Sequence, residues 1–434
     1  MDILGADAVT SLPLSQPHHQ WLERFGSSQA FHASARELDR MLRERGIMFG
    51  EGLLPTYPFA YIAPVERIAG WAEEAELAVA GVEYLARWTL SDRALYDAVG
   101  LNPEAFDLVS IDPGYSRSCV ICRPDGIPAG NGLKLVELNC DSPAMMMFLD
   151  IVSECLLQLD VFASVRDQIV VTSASDRLLD VLLDCYREYG GTGAPTIAIA
   201  DWEGQKTRFE HLRLAEHFEA RGCSTVICDP RAFRRIDGKL HVGGRRIDLV
   251  YRRALASEII ERRDELEPLL SAYSDGSVCM VNPLRSYVVS AKAMLSKLAT
   301  LPAELHAASR TVPRTLILDN DDVRATVLAS PQRWALKKSE SHGGMNVVLP
   351  GDDVAWRNAL DSSSREVWVA QEYLQVPQMD VPVIDGETLN WSERYFNWNP
   401  FIFGGRYAGG LVRVSNTPLI NITLGGGLMP TFTM

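Results

Sequence analysis

The fold is decided by residues 135–143, which run Leu135-Val136-Glu137-Leu138-Asn139-Cys140-Asp141-Ser142-Pro143. Residues 133–139 form a short apolar run after a turn-rich segment, and this pattern predicts a strand. Glu137 and Asn139 are two positions apart, so they project from the same face of that strand. A carboxylate and an amide oxygen side by side suit a Mg²⁺ ion held between protein and phosphates. A polar strand edge explains the same residues, and the stretch alone does not decide between the two.

A second motif, much later in the chain, suits a polyphosphate. Lys337 ends a predicted strand over residues 333–337. The loop that follows contains Gly343, Gly344 and Asn346. The lysine supplies a point charge, while glycines let backbone N–H groups approach phosphate oxygens. The loop is not a P-loop, because no GxxxxGK[ST] pattern is present. A Gly-containing hairpin with a solvated lysine is the alternative.

A third motif suits the adenine ring of a nucleotide. A predicted buried strand over residues 367–371 continues into Glu372-Tyr373-Leu374. The amide of Gln371, the carboxylate of Glu372 and the backbone offer hydrogen bonds to an adenine edge, and apolar neighbours would sandwich the ring. Taken alone, the segment also matches an ordinary strand end.

The fourth motif lies in the Gly-rich final part of the sequence. It begins with Gly409-Gly410-Leu411-Val412-Arg413-Val414-Ser415 and continues through residues 421–427. Arg413, on a strand beside Gly-rich turns, would clamp a transferring phosphoryl group or an acyl phosphate. A surface ion pair with turns around it is the alternative. Only short β pieces are predicted in this part of the chain.

Together the four motifs resemble the site of ATP-grasp enzymes. In the usual ATP-grasp order the Glu-x-Asn strand comes last, whereas here Glu137 and Asn139 precede Lys337. This order is similar to the circularly permuted branch that includes glutathionylspermidine synthetase-like proteins, and the resemblance covers residues 108–434. It implies an α/β and α+β multidomain chain. Its parts are an ATP-grasp fold with permuted motif order, a small parallel α/β domain of the pre-ATP-grasp type, and a helical N-terminal region.

The resemblance also implies which residues bind ATP and Mg²⁺. The nucleotide-binding residues are Lys292, Lys337, Gly343, Gly344, Asn346, Gln371, Glu372, Tyr373 and Leu374. The Mg²⁺ ligands are Glu137 and Asn139. Arg117 and Arg413 resemble the catalytic arginines that hold the γ-phosphate and the acyl phosphate. Two residues after the first arginine the family usually has an aspartate ligand, whereas this chain has Cys119, and a thiol is a poor ligand for Mg²⁺.

The implied reaction joins the carboxylate of an amino acid or small peptide to an amine. ATP would activate the carboxylate as an acyl phosphate, and ADP and phosphate would be released. Ser142 is a candidate substrate contact. Arg252 and Arg253, which end a predicted strand, would bind the substrate carboxylate or form a structural ion pair. One alternative is a nucleotide-binding or regulatory protein that has lost catalysis, for which Cys119 is the reason; the other is a small-molecule kinase.

Four segments are expected along the chain: 1–107, 108–192, 193–282 and 283–434. In the first, apolar residues recur at helical spacing over residues 31–45 and 65–90. In the second, the period changes to that of strands, with one strand predicted over residues 115–123 and a turn-rich segment over residues 124–132. The third alternates short strands and helices, which predicts a small α/β layer with a mostly parallel sheet. The last is predicted to be α+β.

Net charge and apolar patterning argue against two classes of partner. The formal net charge is −14 and the pI is about 5.1, so a nucleic acid, which requires a dense basic surface, is not an expected partner. The most apolar segment, residues 145–163, carries three acidic side chains that would be costly in lipid, so no membrane partner is expected.

The eight cysteines are scattered along the chain. Cys119-x-x-Cys122 lacks a second pair or histidines at suitable spacing, so free thiols in a reducing cytoplasm are expected instead of a zinc site. The expected partners are small-molecule carboxylate and amine substrates. The sequence leaves homo-oligomerisation open.

Overall fold

The computed structural model describes residues 28–341, 346–385, 388–420, 422 and 426–434. The α-helices among them are α1 (Ser28–Glu44), α2 (Val65–Leu90), α3 (Arg93–Val99), α4 (Phe106–Val109), α5 (Met146–Gln158), α6 (Ala174–Glu188), α7 (Arg208–Ala220), α8 (Ala256–Glu261), α9 (Glu267–Ser274), α10 (Ser286–Ser290), α11 (Ala293–Lys297), α12 (Asp321–Leu328) and α13 (Asp353–Ser362). Within the same residues, no helix combines the length and the apolar character needed to cross a membrane.

The strands in the described residues form five sheets. They are β1 (Met48–Phe49), β2 (Gly52–Leu53), β3 (Tyr61–Ala63), β4 (Ile121–Ala129), β5 (Gly132–Asn139), β6 (Ile197–Ala200), β7 (Thr225–Cys228), β8 (Arg234–Ile236), β9 (Lys239–Val242), β10 (Arg245–Arg246), β11 (Leu249–Arg252), β12 (Cys279–Val281), β13 (Thr315–Ile317), β14 (Trp334–Lys338), β15 (Val347–Val348), β16 (Trp368–Glu372), β17 (Gln378–Asp385), β18 (Thr388–Phe403), β19 (Arg406–Ser415) and β20 (Gly427–Thr433).

The largest sheet joins early and late parts of the chain. Its seven strands follow the order β3-β20-β19-β18-β4-β5, with β17 also paired to β18. All neighbours are antiparallel except β3 and β20. Helix α2 packs against it, and Trp71 of this helix contacts Trp398 of β18 with ring centroids 5.3 Å apart. The mainly helical first segment therefore also contributes a strand, β3, to this sheet.

The second sheet is parallel, with the order β12-β11-β6-β7. Its inner strands β6 and β11 are buried along their whole length, as is usual for apolar strands covered on both faces. Beside it, β8 and β9 form a hairpin that turns at Asp237 and Gly238, whose φ values of 49° and 75° fit a type I′ turn. The mixed α/β fold class and the parallel layer are thus confirmed, while the division into four segments stays a prediction.

A third sheet, β13-β16-β14-β15, is antiparallel and has its own core. The largest side chains in this core are Trp334, Trp356 and Trp368, with Leu336 between them in sequence. Side chains alternate along a strand, so Lys337 of β14 projects to the opposite side from Leu336. That side faces β5 of the large sheet, because the Lys337 ammonium donates a hydrogen bond to the Val136 carbonyl at 2.9 Å.

The predicted strand over residues 115–123 and the predicted turn after it are wrong. Strand β4 begins at Ile121 and continues through Pro124, Gly126 and Pro128 to Ala129. The pairing of β4 with β5 shifts register between Asp125 and Gly126. The shift lies next to Pro124, which has no N–H group to donate to the ladder. The Gly-rich tail ends in a short strand, as predicted, because β20 spans seven residues, whereas β19 is longer and spans ten.

Gly126 is required by the close approach of β18. A Cβ atom at this position would lie 2.8 Å from the Trp398 carbonyl oxygen and 2.7 Å from Cδ1 of Leu133. We therefore expect Gly126→Ala to lower the free energy of unfolding by about 1–3 kcal/mol, measured by urea denaturation. The matched control is Gly70→Ala in α2, where nothing lies within 4 Å of the new Cβ and helix propensity favours alanine. Equal stability of the two variants would contradict this account.

Candidate functional site

A cavity of about 350 Å³ opens between the large sheet and the small antiparallel sheet. We call it the central cleft, and strands β4, β5, β14, β16, β18 and β19 all contribute to its walls. The predicted site residues that line it are Glu137, Asn139, Ser142, Lys337, Gln371, Glu372, Tyr373, Leu374 and Arg413. Residues of all four sequence motifs therefore meet around one space.

The acidic side of the central cleft comes from the β4–β5 hairpin. Asp125 of β4 is directly opposite Glu137 of β5 in the antiparallel register. The Asn139 amide donates to Asp125 Oδ1 at 3.2 Å and to the Arg123 carbonyl at 3.1 Å. Two carboxylates and an amide oxygen therefore lie on one short hairpin, which is a suitable oxygen set for Mg²⁺.

Sequence reasoning missed Asp125. Pro124 and Gly126 on either side of it are typical turn residues, so the segment was not predicted as a strand. A signal was nevertheless present, because Arg123-x-Asp125 has the same spacing as Arg117-x-Cys119, in which an aspartate was expected.

Arg123 lines the central cleft, whereas Arg117 is not among the described residues that line it. Arg117 lies beside the turn at Gly405, where an added Cβ would be 2.9 Å from its Nη1. Arg123 donates from Nη1 to the Ala144 carbonyl at 2.9 Å, while its Nε is buried and has no hydrogen-bond partner. Burial lowers the pKa of Arg123. On this part of the chain, the arginine that lines the cleft is Arg123, and the catalytic role expected for Arg117 stays a prediction.

Two lysines approach the hairpin from the late part of the chain. Lys337 is buried, and its ammonium donates to Gln371 Oε1 at 2.7 Å as well as to Val136. Lys292, which immediately precedes α11, forms an ion pair with Glu137 at 2.9 Å and donates to the Ser341 carbonyl. Burial lowers the pKa of Lys337 to about 8; Lys292 acts in the same direction, and Glu137 opposes it.

The end of β16 forms the apolar side of the central cleft. Gln371 is held between Lys337 and Thr315, to which its Nε2 donates at 3.2 Å. Glu372 is paired with Arg333 at 3.0 Å. Apolar and aromatic residues that also line the cleft are Ile127, Val136, Leu349, Tyr373, Leu374, Val376 and Leu411. A flat, mostly apolar ring fits such a wall, with polar groups at its edge.

Arg413 is buried and not on the surface as the alternative interpretation held. Its Nη2 lies 2.6 Å from Asp125 Oδ2 and donates to Asn399 Oδ1 at 2.9 Å. Its charge is therefore held next to the acidic hairpin by partners on β4 and β18.

Arg252 and Arg253 are not among the described residues that line the central cleft, and their substrate contact stays a prediction. Arg252 is fully buried and pairs with Asp141 at 2.5 Å. Arg253 donates to the Pro143 carbonyl and to the Tyr251 hydroxyl. Both arginines hold the loop after β5 in place, which is the structural role the sequence left open for them. In that loop the Ser142 hydroxyl, which lines the cleft, donates to the Arg253 carbonyl at 2.5 Å.

The predicted phosphate loop is only partly described. Gly343 and Gly344 lie outside the described residues. Asn346 is exposed, has a φ of 56°, and accepts a hydrogen bond from the Lys338 N–H at 3.1 Å. It is not among the described residues that line the cleft.

No protein-family model and no curated protein matches the chain. Among solved structures, a glutathione synthetase-like effector (GSS30) from Globodera pallida is similar with a TM-score of 0.59 and 11% identity, covering 94% of this chain and 98% of that one. A Methylobacillus flagellatus KT protein provisionally named gamma-glutamylcysteine synthetase has 11% identity, coverages of 81% and 88%, and a TM-score of 0.42. The ATP-grasp ligase PsnB with a minimal precursor has 14% identity, coverages of 54% and 89%, and a TM-score of 0.32.

The similarity to GSS30 extends over nearly the whole of both chains. At the level of the fold, the chain is therefore similar to a glutathione synthetase-like protein, while the permuted ATP-grasp motif order predicted from the sequence stays a prediction. The central cleft belongs to a chain with a glutathione synthetase-like fold, and its chemistry has to be argued from its own residues.

The structural role of Arg252 leads to a stability prediction. Removing one partner of a buried ion pair leaves an uncompensated charge, so Arg252→Met should lower the free energy of unfolding by about 3–5 kcal/mol. The control is Arg246→Met, whose exposed pair with Asp248 should contribute less than about 1 kcal/mol. Urea denaturation measures both. An Arg252→Met protein of normal stability that has lost substrate affinity would restore the substrate role.

Proposed function

We propose that the chain is an ATP- and Mg²⁺-dependent carboxylate–amine ligase with a circularly permuted ATP-grasp site. The observation that carries the proposal is the meeting of the early acidic hairpin with two late lysines, shown by the Lys292–Glu137 ion pair at 2.9 Å and the Lys337–Val136 hydrogen bond at 2.9 Å. These contacts join the early Glu137-x-Asn139 strand to later lysine-bearing segments, which is the reverse of the usual ATP-grasp order. The fold similarity to a glutathione synthetase-like protein supports the same class.

The residues at the cleft suit a magnesium nucleotide. Asp125, Glu137 and the Asn139 oxygen would hold Mg²⁺. Lys292 and Lys337 would bind the phosphates. The adenine ring would occupy the apolar wall formed by the end of β16, with Gln371, Glu372, Tyr373 and Leu374 around it.

The charge balance supports this assignment. Among the described residues, the charged groups at the centre are Arg123, Lys337, Arg413, Asp125 and Glu137, which line the cleft, and Lys292, which pairs with Glu137. Two further carboxylates, Asp141 and Glu372, are each paired with an arginine of their own. Four cations against two carboxylates leave two positive charges in excess. A complex of Mg²⁺ with ATP carries a net charge of about −2, so it would neutralise the cleft.

The reaction needs activation of a carboxylate, whose oxygen is a poor leaving group. ATP supplies a phosphoryl group that converts this oxygen into part of an acyl phosphate, and an amine then displaces phosphate. Arg123, which lines the cleft, would hold the substrate carboxylate in line. Arg413 would stabilise the charge of the transferring phosphoryl group. We propose an amino acid or small peptide as the carboxylate substrate.

Cys119 is the reason for the alternative in which the protein has lost catalysis, and this reason does not apply to the rest of the site. Cys119 is buried beside two other cysteines and is not among the described residues that line the cleft. Asp125 provides the second carboxylate that Cys119 could not provide. A competent ligase is therefore the function that these residues support best.

A coupled ADP assay tests the proposal. The protein is incubated with Mg²⁺, ATP and pools of amino acids, small peptides and amines. ADP release that requires both a carboxylate and an amine, with a new amide seen by mass spectrometry, is the expected result. ATP binding without turnover would overturn the ligase in favour of a regulatory protein. A stable phosphorylated product would overturn it in favour of a kinase.

Variants of two arginines distinguish the site proposed here from the site predicted from the sequence. Arg123→Ala should lower kcat/KM by about 10²–10³-fold, because the proposed cationic contact to the substrate carboxylate is lost. Arg117→Ala should stay close to the native rate, since Arg117 lies by the Gly405 turn. Circular dichroism shows whether both variants are folded. The reverse ranking would return the catalytic role to Arg117.

The lowered pKa of Lys337 predicts a pH dependence of nucleotide affinity. Lys337 is charged below its pKa of about 8 and neutral above it, so affinity for MgATP should fall as pH rises through about 8. The expected slope approaches about tenfold per pH unit between roughly pH 8 and 9.5, measured by calorimetry. Lys337→Gln should bind weakly without this step, whereas Lys338→Gln, its neighbour on β14, should keep it. A native affinity that does not change over this pH range would contradict the role of Lys337.

A further inference from the structure

Three cysteines that are scattered in sequence meet inside the fold. Cys119 precedes β4, Cys122 lies on β4, and Cys140 directly follows β5. Their sulfur atoms all lie within 4.8 Å of one another, and the Sγ atoms of Cys122 and Cys140 are 3.2 Å apart. All three side chains are buried. We call this group the thiol cluster; it is separate from the residues that line the central cleft.

The backbone around the thiol cluster is fixed by two polar side chains. The Glu83 carboxylate accepts hydrogen bonds from the N–H groups of Ser118 and Cys119 at 2.8 and 2.7 Å. The Asn282 amide donates to the Cys140 carbonyl at 2.9 Å and to the Ile121 carbonyl at 3.1 Å. Each cysteine-bearing segment is therefore held before any ligand arrives, which lowers the cost of assembling a site.

The ligand chemistry favours a soft metal ion of low coordination number. Thiolates select ions such as Cu(I) and Zn²⁺ over Mg²⁺. Structural zinc sites take four protein ligands. Among the residues that the structure describes, the thiol cluster offers three possible metal ligands of the His, Cys, Asp and Glu types, all of them cysteines. Metal–sulfur bonds of about 2.3 Å in a trigonal plane place the sulfurs about 4 Å apart, which the thiol cluster reaches with small side-chain movements.

The electrostatic surroundings of one thiol also support thiolate formation. Hydrogen bonds with Cys122 and Cys140 lower the pKa of Cys119 to about 5, and Arg117 acts in the same direction. Burial raises the pKa of the other two thiols, so a bound cation would be needed to hold them deprotonated.

We propose that Cys119, Cys122 and Cys140 form a trigonal thiolate site for one Cu(I) ion. On binding, each thiol that still carries a proton releases it to solvent and three Cu–S bonds form, with no change of oxidation state. The ion would tie the segment before β4 to the end of β5. The site is distinct from the proposed nucleotide site and does not depend on it.

Metal binding by the full chain tests this proposal without ATP. The reduced protein is titrated anaerobically with Cu(I) in competition with a chromophoric Cu(I) chelator. One Cu(I) per chain should be retained, and X-ray absorption should show three sulfur neighbours around it. Retention of Zn²⁺ in preference to Cu(I), two sulfur neighbours, or no retention against the chelator would each overturn the proposal.

Matched variants assign the ligands. Cys119→Ala should weaken Cu(I) binding by more than the about 10–100-fold that loss of an outer-shell partner causes. Cys228→Ala, which removes a buried thiol at the end of β7, should bind as the native chain does. Equal affinity of the two variants would overturn the assignment. If Cys119→Ala does not fold, the sulfur count in the native chain decides the matter.

Discussion

Antiparallel pairing of β18 with β4 is the constraint on which the rest of the structure depends. It joins Trp398 to Gly126 and Ile402 to Cys122 across most of the chain length. Without it the acidic hairpin would be a two-stranded element of marginal stability. With it, the carboxylates on β4 and β5 are presented to the lysines of the late segments. The close backbone approach at Gly126 shows how little freedom this pairing leaves.

The ion pairs at the cleft also compensate the charges of its side chains before a nucleotide binds. Lys292 neutralises Glu137, and Arg413 neutralises Asp125. A magnesium nucleotide would give each group a new partner, since carboxylates would turn to the metal and cations to the phosphates. The exchange keeps every charge compensated, which avoids the large cost of an unpaired buried charge.

The parts of the fold that could be predicted are those in which the periodicity of apolar residues matches the final secondary structure. Helix α2 spans residues 65–90 as predicted, because its apolar residues follow the helical period without interruption. Strand β4 was not predictable, because Pro124, Gly126 and Pro128 are turn residues locally and lie in a strand here only through pairing with distant parts of the chain such as β18. Asp125 was missed for the same reason. The burial of Arg252 is a tertiary property that no local pattern encodes.

The distance in sequence between β4 and β18 also affects how the protein is made. The β4–β5 hairpin is local and can form early, but its partner edge is synthesised far later. At roughly 5–20 residues per second, that edge waits on the order of tens of seconds on the ribosome. During that time a row of unpaired backbone groups is open to other strands. Covering of this edge by a chaperone during translation would therefore favour the native pairing over aggregation.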